Sequence, residues 1–168
     1  MDAYECIVGR VEVREFTGEP VPEAAVLRVL EAGRMAPSQR NRQQWHFIVV
    51  QDRDLLRQVG EAAPTGPYIA NAAFAVVIAM EGAKMPQVDG TRAAQSMQLA
   101  AWAEGLGSCW VSGLDRDRIR TLLGIPAAME ILTVLPFGRP AAAARGVRKR
   151  RKPLAAIAHR NRFGAPYA

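Results

Sequence analysis

Residues 36–50 read Ala-Pro-Ser-Gln-Arg-Asn-Arg-Gln-Gln-Trp-His-Phe-Ile-Val-Val, and the chain changes character halfway through them. Phe47 to Val50 is an apolar, partly β-branched run, which predicts a buried strand. Ahead of it stand Ser38, Gln39, Arg40, Asn41, Arg42, Gln43 and Gln44, all side chains that donate hydrogen bonds. A donor-rich loop therefore sits at the mouth of a core strand. It reads either as a solvated turn, with Ser38 shaping the chain after Pro37, or as a loop that faces an acceptor-rich ligand.

On the N-terminal side, Ala3 to Gly9 is a candidate helix. Val26, Leu27, Val29, Leu30 and Met35 recur at helical spacing. They predict a second helix, opened by Pro20-Val21-Pro22-Glu23 and ended before Pro37. On the C-terminal side the pattern predicts a helix over Asp52 to Ala62, a turn over Pro64 to Pro67 and a buried strand over Phe74 to Met80. The longest helix is predicted from Gly90 to Leu106. It is apolar almost all round, which suits the interior or an interface. Cys109 to Val111 reads as a short strand, Asp115 as the cap of a helix to Leu123, and Glu130 to Phe137 as the last strand. Helices and strands mixed without strict βαβ regularity predict an α+β fold, a sheet covered by helices. A length of 168 residues suits one domain.

Composition narrows the class. With 49% apolar and 23% charged residues the chain is ordinary for a soluble globular protein. No apolar run approaches the ~20 residues a membrane span needs. The acidic start Met1-Asp2-Ala3-Tyr4-Glu5 is unlike a signal peptide, so a cytoplasmic protein with free thiols at Cys6 and Cys109 is expected. The two Cys and two His, His46 and His159, show no metal-ligand spacing, and no metal is expected.

The net charge of +6 is concentrated in Val147-Arg148-Lys149-Arg150-Arg151-Lys152. Taken alone, that run reads as a solvated tail, or as a contact for phosphates of nucleic acid, membrane or cofactor. Cations and hydrogen-bonders form three groups: Arg10 with Arg14, Ser38 with Asn41 and Gln43, and Lys149 with Arg151. No Ser-His-Asp order, P-loop, GxGxxG or paired-carboxylate motif accompanies them. Anion-binding chemistry without an acid, base or nucleophile points to a bound cofactor.

Six stretches in register carry a resemblance that covers nearly the whole chain. They include Tyr4 to Phe16 with Pro20-Val21, Ala36-Pro37-Ser38-x-x-Asn41-x-Gln43-x-Trp45, and Leu106-Gly107-Ser108-Cys109-Trp110. The others are Leu123-Gly124-Ile125-Pro126, Pro136-Phe137-Gly138-Arg139-Pro140 and Arg151-Lys152-Pro153-Leu154. In this order they resemble the flavin-dependent nitroreductase family. The resemblance implies a central mixed β-sheet flanked by helices and one FMN-binding domain over residues 1–168. Residues 140–168 would then be a basic tail that wraps the partner of a homodimer, with FMN at the subunit interface. The implied activity is ping-pong transfer of a hydride from NAD(P)H through flavin N5 to a nitroaromatic, quinone or similar acceptor. No side chain is expected as an obligatory acid or base. Neither a membrane nor a nucleic acid is the expected partner.

The resemblance also gives roles to residues. The family pattern Arg-Arg-Ser-x-Arg followed by an aromatic reads here Arg10-Val11-Glu12-Val13-Arg14, then Phe16. Arg10 matches the residue that holds the FMN phosphate and ribityl chain. Arg14 matches a cation near the pyrimidine edge. Val11 and Glu12 stand where the family has the second Arg and the Ser. A carboxylate there should weaken FMN binding unless Glu12 turns to Arg10, Arg14 or a ribityl hydroxyl. Pro37, Ser38, Asn41 and Gln43 match the loop that meets the flavin from the partner subunit, and Arg40 and Arg42 are expected to face outward. Trp110, Val111 and Gly113 match the segment along the isoalloxazine ring, and Lys149 and Arg151 match the cations that close on the phosphate. Gln43-Gln44-Trp45 replaces the family's Gln-Pro-Trp. The short connection between Met80 and Gly90 implies an open, weakly selective pocket. Two other outcomes are compatible with the residues: a specialised or degenerate flavin-binding member without reductase activity, and a non-catalytic basic binding protein.

Overall fold

The computed structural model describes residues 1–82, 86–142 and 149–167. The connection at 83–85, residues 143–148 of the expected tail (with Val147 and Arg148 of its basic run) and residue 168 lie outside these. Among the described residues, five α-helices and four strands follow one another as α1 (Ala3–Gly9), α2 (Glu23–Arg34), β1 (Trp45–Val50), α3 (Arg53–Glu61), β2 (Phe74–Glu81), α4 (Pro86–Ala103), β3 (Gly107–Ser108), α5 (Arg116–Leu123) and β4 (Met129–Gly138). The strands form one sheet in the order β1-β2-β4-β3.

β2 is the central strand. Seven of its eight residues are buried, and its alternating side chains feed two separate cores. Phe74, Val76, Ile78 and Met80 join α2 and α4 through Val26, Val29, Ala93, Ala94 and Met97. Ala75, Val77 and Ala79 point the other way and pack with Leu56, Val59 and Ile119 of α3 and α5. A strand covered on both faces cannot alternate apolar with polar residues, which is why Phe74–Met80 reads as an unbroken apolar run. β4 adjusts to the same two faces through a register shift opposite Ile78/Ala79, where Thr133 and Ile131 are the consecutive partners and Leu132 is skipped. The bulge lets Ile131 and Val134 face one core while Leu132, Leu135 and Phe137 face the other.

All three ladders are antiparallel. Among the described residues, parallel pairing is confined to the single bridge between Glu12 and Ser108. The sheet with helices on both faces is the α+β arrangement expected from the sequence.

Local departures from the sequence reading have local causes. α4 begins at Pro86 rather than Gly90, because Pro is well suited to a first helical position, where its missing N–H leaves no gap. The expected strand Cys109–Val111 is replaced by Gly107–Ser108 plus an isolated bridge of Val111 to Val134. The Trp110 N–H donates to the Glu12 carboxylate instead of to a neighbouring strand. β1 starts two residues early, at Trp45. The turn after Pro64 runs into an unexpected 3₁₀ segment over Pro67–Asn71, held by Arg53, whose guanidinium donates to the Ala70 and Ala72 carbonyls.

Candidate functional site

The segment 10–16 leaves α1 extended and lies beside β3, with the Val13 N–H donating to the Ser108 carbonyl at 2.9 Å. Extended backbone sends successive side chains to opposite sides. Val11 and Val13 therefore turn toward a small core with Ala72, while Arg10, Glu12 and Arg14 are left on the cavity side; Phe16, past the end of this alternation, joins the same small core. The approach to β3 is close: a Cβ on Gly107 would lie 2.6 Å from Val13. Gly107 thus sets how tightly the segment can dock.

Arg10, Val11, Glu12, Arg14, Lys149, Arg150 and Arg151 line one cavity of about 390 Å³. The structure thereby joins two of the three groups seen in the sequence, although Arg14 and Lys149 stand near opposite ends of the chain. Lys149 is fixed by donating to the Ile7 carbonyl at 2.6 Å, at the last turn of α1, where a helix presents unpaired carbonyls. Partial burial, then repulsion from Arg10 and Arg151, holds the Lys149 ammonium below its ordinary pKa. Such a crowd of cations is stabilised by an anion placed among them.

Glu12 supplies part of that negative charge. One oxygen accepts from Arg10 at 2.6 Å and the other accepts the Trp110 N–H at 2.9 Å. Burial pushes the Glu12 carboxyl up, but the Trp110 N–H and the Arg10 guanidinium outweigh it and hold the group below the usual carboxylate range. Of the ways out anticipated for this carboxylate, the turn to Arg10 is the one realised.

Beside Arg14, and in hydrogen-bonding reach of it, the Tyr68 hydroxyl lies 3.3 Å from the Cys109 thiol. Burial raises both, Tyr68 to about 12 and Cys109 to about 11, so both are neutral at physiological pH. Cys109 is fully buried and behaves as the small core residue expected; Cys6 is likewise buried and unpaired. Tyr68 was not legible from the sequence as a neighbour of Arg14. It stands on the unforeseen 3₁₀ segment, and no local motif marks it.

Trp110, Val111 and Gly113 run past this region, but their N–H groups are occupied. Trp110 donates to Glu12, Val111 to the Val134 carbonyl and Gly113 to Thr65 Oγ1. The Val111 side chain is buried. The Val111 carbonyl is likewise taken, accepting from Thr133 Oγ1 at 2.9 Å, so this segment can offer a ligand surface contact rather than free amide donors.

The remaining group lies elsewhere. Ser38 to Gln43 precede Trp45, on edge strand β1, at the end of the sheet where Trp45 pairs with Met80. Glu12 bridges Ser108 on the opposite edge strand, β3, at the end where Ser108 pairs with Phe137 and Phe137 with Phe74. Three strand spacings and six residue rises separate these corners, roughly 25 Å. Within one chain the loop and the cationic cavity do not meet.

The loop is tightly built nonetheless. Ser38 Oγ accepts the Gln43 N–H at 3.0 Å, and the Gln43 side chain donates to the Asn41 carbonyl. Ser38 thus shapes the turn after Pro37. Arg40, Asn41 and Gln43 all have positive φ, near 52–55°, a conformation that L-residues rarely adopt. Pro37, Asn41 and Gln43 are exposed, as are Arg40 and Arg42. Trp45 packs in the core and stacks on Phe47.

The residues around the cavity suit FMN in one respect and strain it in another. The cations match a phosphate, while Glu12 offsets one of them. Among the described residues no cluster of His, Cys, Asp and Glu could hold a metal, and no helix is long and apolar enough to cross a membrane.

The Nitroreductase family profile matches residues 7–81 and, in an overlapping segment, 63–139. An Archaeoglobus fulgidus protein provisionally named NADH dehydrogenase/NAD(P)H nitroreductase is 32% identical over 149 residues, covering 83% of this chain and 86% of that relative. The crystal structure of a Bacteroides thetaiotaomicron protein with the same provisional name is 29% identical, superposes with a TM-score of 0.87 and covers 96% of this chain and 98% of its own. A Clostridium difficile protein described as an FMN-dependent nitroreductase shares the fold with a TM-score of 0.85 at 24% identity, over 95% of this chain and 99% of that one. The chain belongs to the nitroreductase family and is an oxidoreductase.

Proposed function

We propose that two copies of this chain bind FMN between them and pass two electrons from NAD(P)H to a small acceptor such as a nitroaromatic or quinone. The observation that carries this reading is the cavity that gathers Arg10, Arg14, Lys149, Arg150 and Arg151 from the two ends of the chain. Its cations fit a phosphate, and the relatives' names supply the nicotinamide and the redox class. FMN, when bound, supplies the two-electron chemistry that no side chain here provides.

The chain's own residues bind and position. Arg10, Lys149 and Arg151 hold the phosphate, with bidentate contacts available to the two guanidinium groups. Arg14 provides positive charge toward the ring, where charge develops on reduction. Glu12 fixes the Arg10 guanidinium and the Trp110 backbone relative to each other. Pro37, Ser38, Asn41 and Gln43 reach a site only in a second copy, since their own cavity is a sheet diagonal away. Residues 140–168, with the exposed apolar side chains of Leu154, Ile157, Phe163 and Tyr167, form the segment that embraces the partner. One domain over 1–168 and a cytoplasmic location complete the reading.

The test is spectroscopic. Purified protein, reconstituted with FMN if necessary, should show oxidised-flavin absorption that bleaches with NADH or NADPH and returns with a quinone. A colourless protein that takes up no FMN would overturn the reading and favour a degenerate or non-catalytic member.

A further inference from the structure

Asp89 is a charged residue buried to 5% exposure in the first turn of α4, apart from the cationic cavity. A carboxylate in such a place needs compensation. It has three sources: the positive end of α4, the Arg92 guanidinium at 3.5 Å from Oδ1, and the Gln39 N–H at 3.0 Å from Oδ2. The first two belong to its own helix. The third comes from 50 residues away and is the first amide of the Ser38–Gln43 loop's 3₁₀ turn.

We propose that Asp89 is the positioning residue of this loop, acting through the Gln39 amide to hold Ser38, Asn41 and Gln43 in the shape that completes the partner subunit's FMN site. The inference rests on the composite site proposed above. The loop carries three non-glycine residues at positive φ, each of which costs conformational energy. Its internal bonds, Ser38 to Gln43 and Gln43 to Asn41, close the turn but do not attach it to anything. Among the described residues, Asp89 is the side chain from another element that bonds the loop. Without it the strained conformation competes with relaxed ones, and a ligand must select it from a smaller population.

An arrangement in which the loop serves the other chain makes a sharp experiment possible. FMN affinity is measured for wild type, Asp89→Ala, Asp89→Asn and Arg10→Ala, with amide hydrogen exchange at residues 39–43 read in the absence of flavin. Asp89→Ala should speed exchange in the loop and weaken FMN binding about tenfold, the result of cutting the competent population to about a tenth. Asp89→Asn keeps an acceptor for the Gln39 N–H and should recover most of the affinity. A Val59→Ala variant, matched in thermal destabilisation and lying in the opposite core, should leave FMN affinity unchanged. Heterodimers of Asp89→Ala with Arg10→Ala contain one site with both an intact cavity and an intact loop. They should regain wild-type affinity at half the sites.

Wild-type loop exchange and wild-type FMN affinity in Asp89→Ala would overturn the role of Asp89 and leave the composite site standing. Weakened binding in Asp89→Ala with no recovery in the heterodimer would overturn the composite site, and with it this inference. Wild type that binds no FMN would do the same.

Discussion

The two oxygens of Glu12 hold different things: one the Arg10 guanidinium, the other the Trp110 N–H, 98 residues on. This position departs from the family pattern, and its effects can be separated experimentally. Because its pKa in the folded protein lies below the unfolded value, the carboxylate contributes stability above the unfolded pKa of about 4.3 and loses it as pH falls through the lower, folded pKa. Glu12→Gln should therefore destabilise the protein at pH 7 by about 1 kcal/mol, a modest figure because a third of the side chain is exposed. The gap to wild type should narrow below pH 4, as read by chemical denaturation across pH. Flavin binding should move the other way, since removing a carboxylate from the cationic cavity raises its pull on a phosphate. Arg10→Ala both deletes a contact and strands Glu12, so FMN affinity should drop by about 10- to 100-fold. The double variant Arg10→Ala/Glu12→Gln should recover more of that loss in a fluorescence titration than the gain from Glu12→Gln alone supplies, the coupling expected of groups in direct contact. Simple addition of the two single effects would contradict the pairing.

Among the elements, β3 and the 10–16 segment are the pair on which the cavity depends. Gly107 permits their approach, and Gly107→Ala places a methyl against Val13 backed by the Phe16–Ala72 core. It should cost about 2 kcal/mol and weaken FMN binding together with stability, whereas Gly124→Ala should cost about 1 kcal/mol and leave FMN binding alone. Gly124 only ends α5, in the left-handed conformation and with open space around it. Thermal melts paired with flavin titrations distinguish the two. Elements whose signals are local were legible in the sequence. α1, α2 and α5 appear within a few residues of expectation because Asp2, Pro22, Asp115 and Gly124 mark their ends. The strand expected at Cys109–Val111 was not legible, since what displaces it is a carboxylate far away in sequence. The bulge in β4 and the Asp89–Gln39 bond are long-range for the same reason.

On the scale of the whole molecule, the proposed dimer has two features to join. The cationic cavity and the donor-rich loop occupy opposite corners of the sheet, and the C-terminal segment exposes Leu154, Ile157, Phe163 and Tyr167 beyond the two cores. The sequence showed the three groups of hydrogen-bonders; which of them share a cavity depends on topology, and that composition could not tell. Replacing Lys149 and Arg151 together with Gln should weaken FMN binding and flatten its dependence on salt, because fewer cations then face the phosphate. Deleting residues 149–167 should add a loss of dimer, detected by sedimentation. Native mass spectrometry of the FMN-reconstituted protein reads the subunit and flavin count together. A dimer carrying two FMN is expected, with occupancy of both sites lowered in Arg10→Ala as its weaker affinity requires; a monomer that carries FMN, or a dimer that carries none, would overturn the composite site.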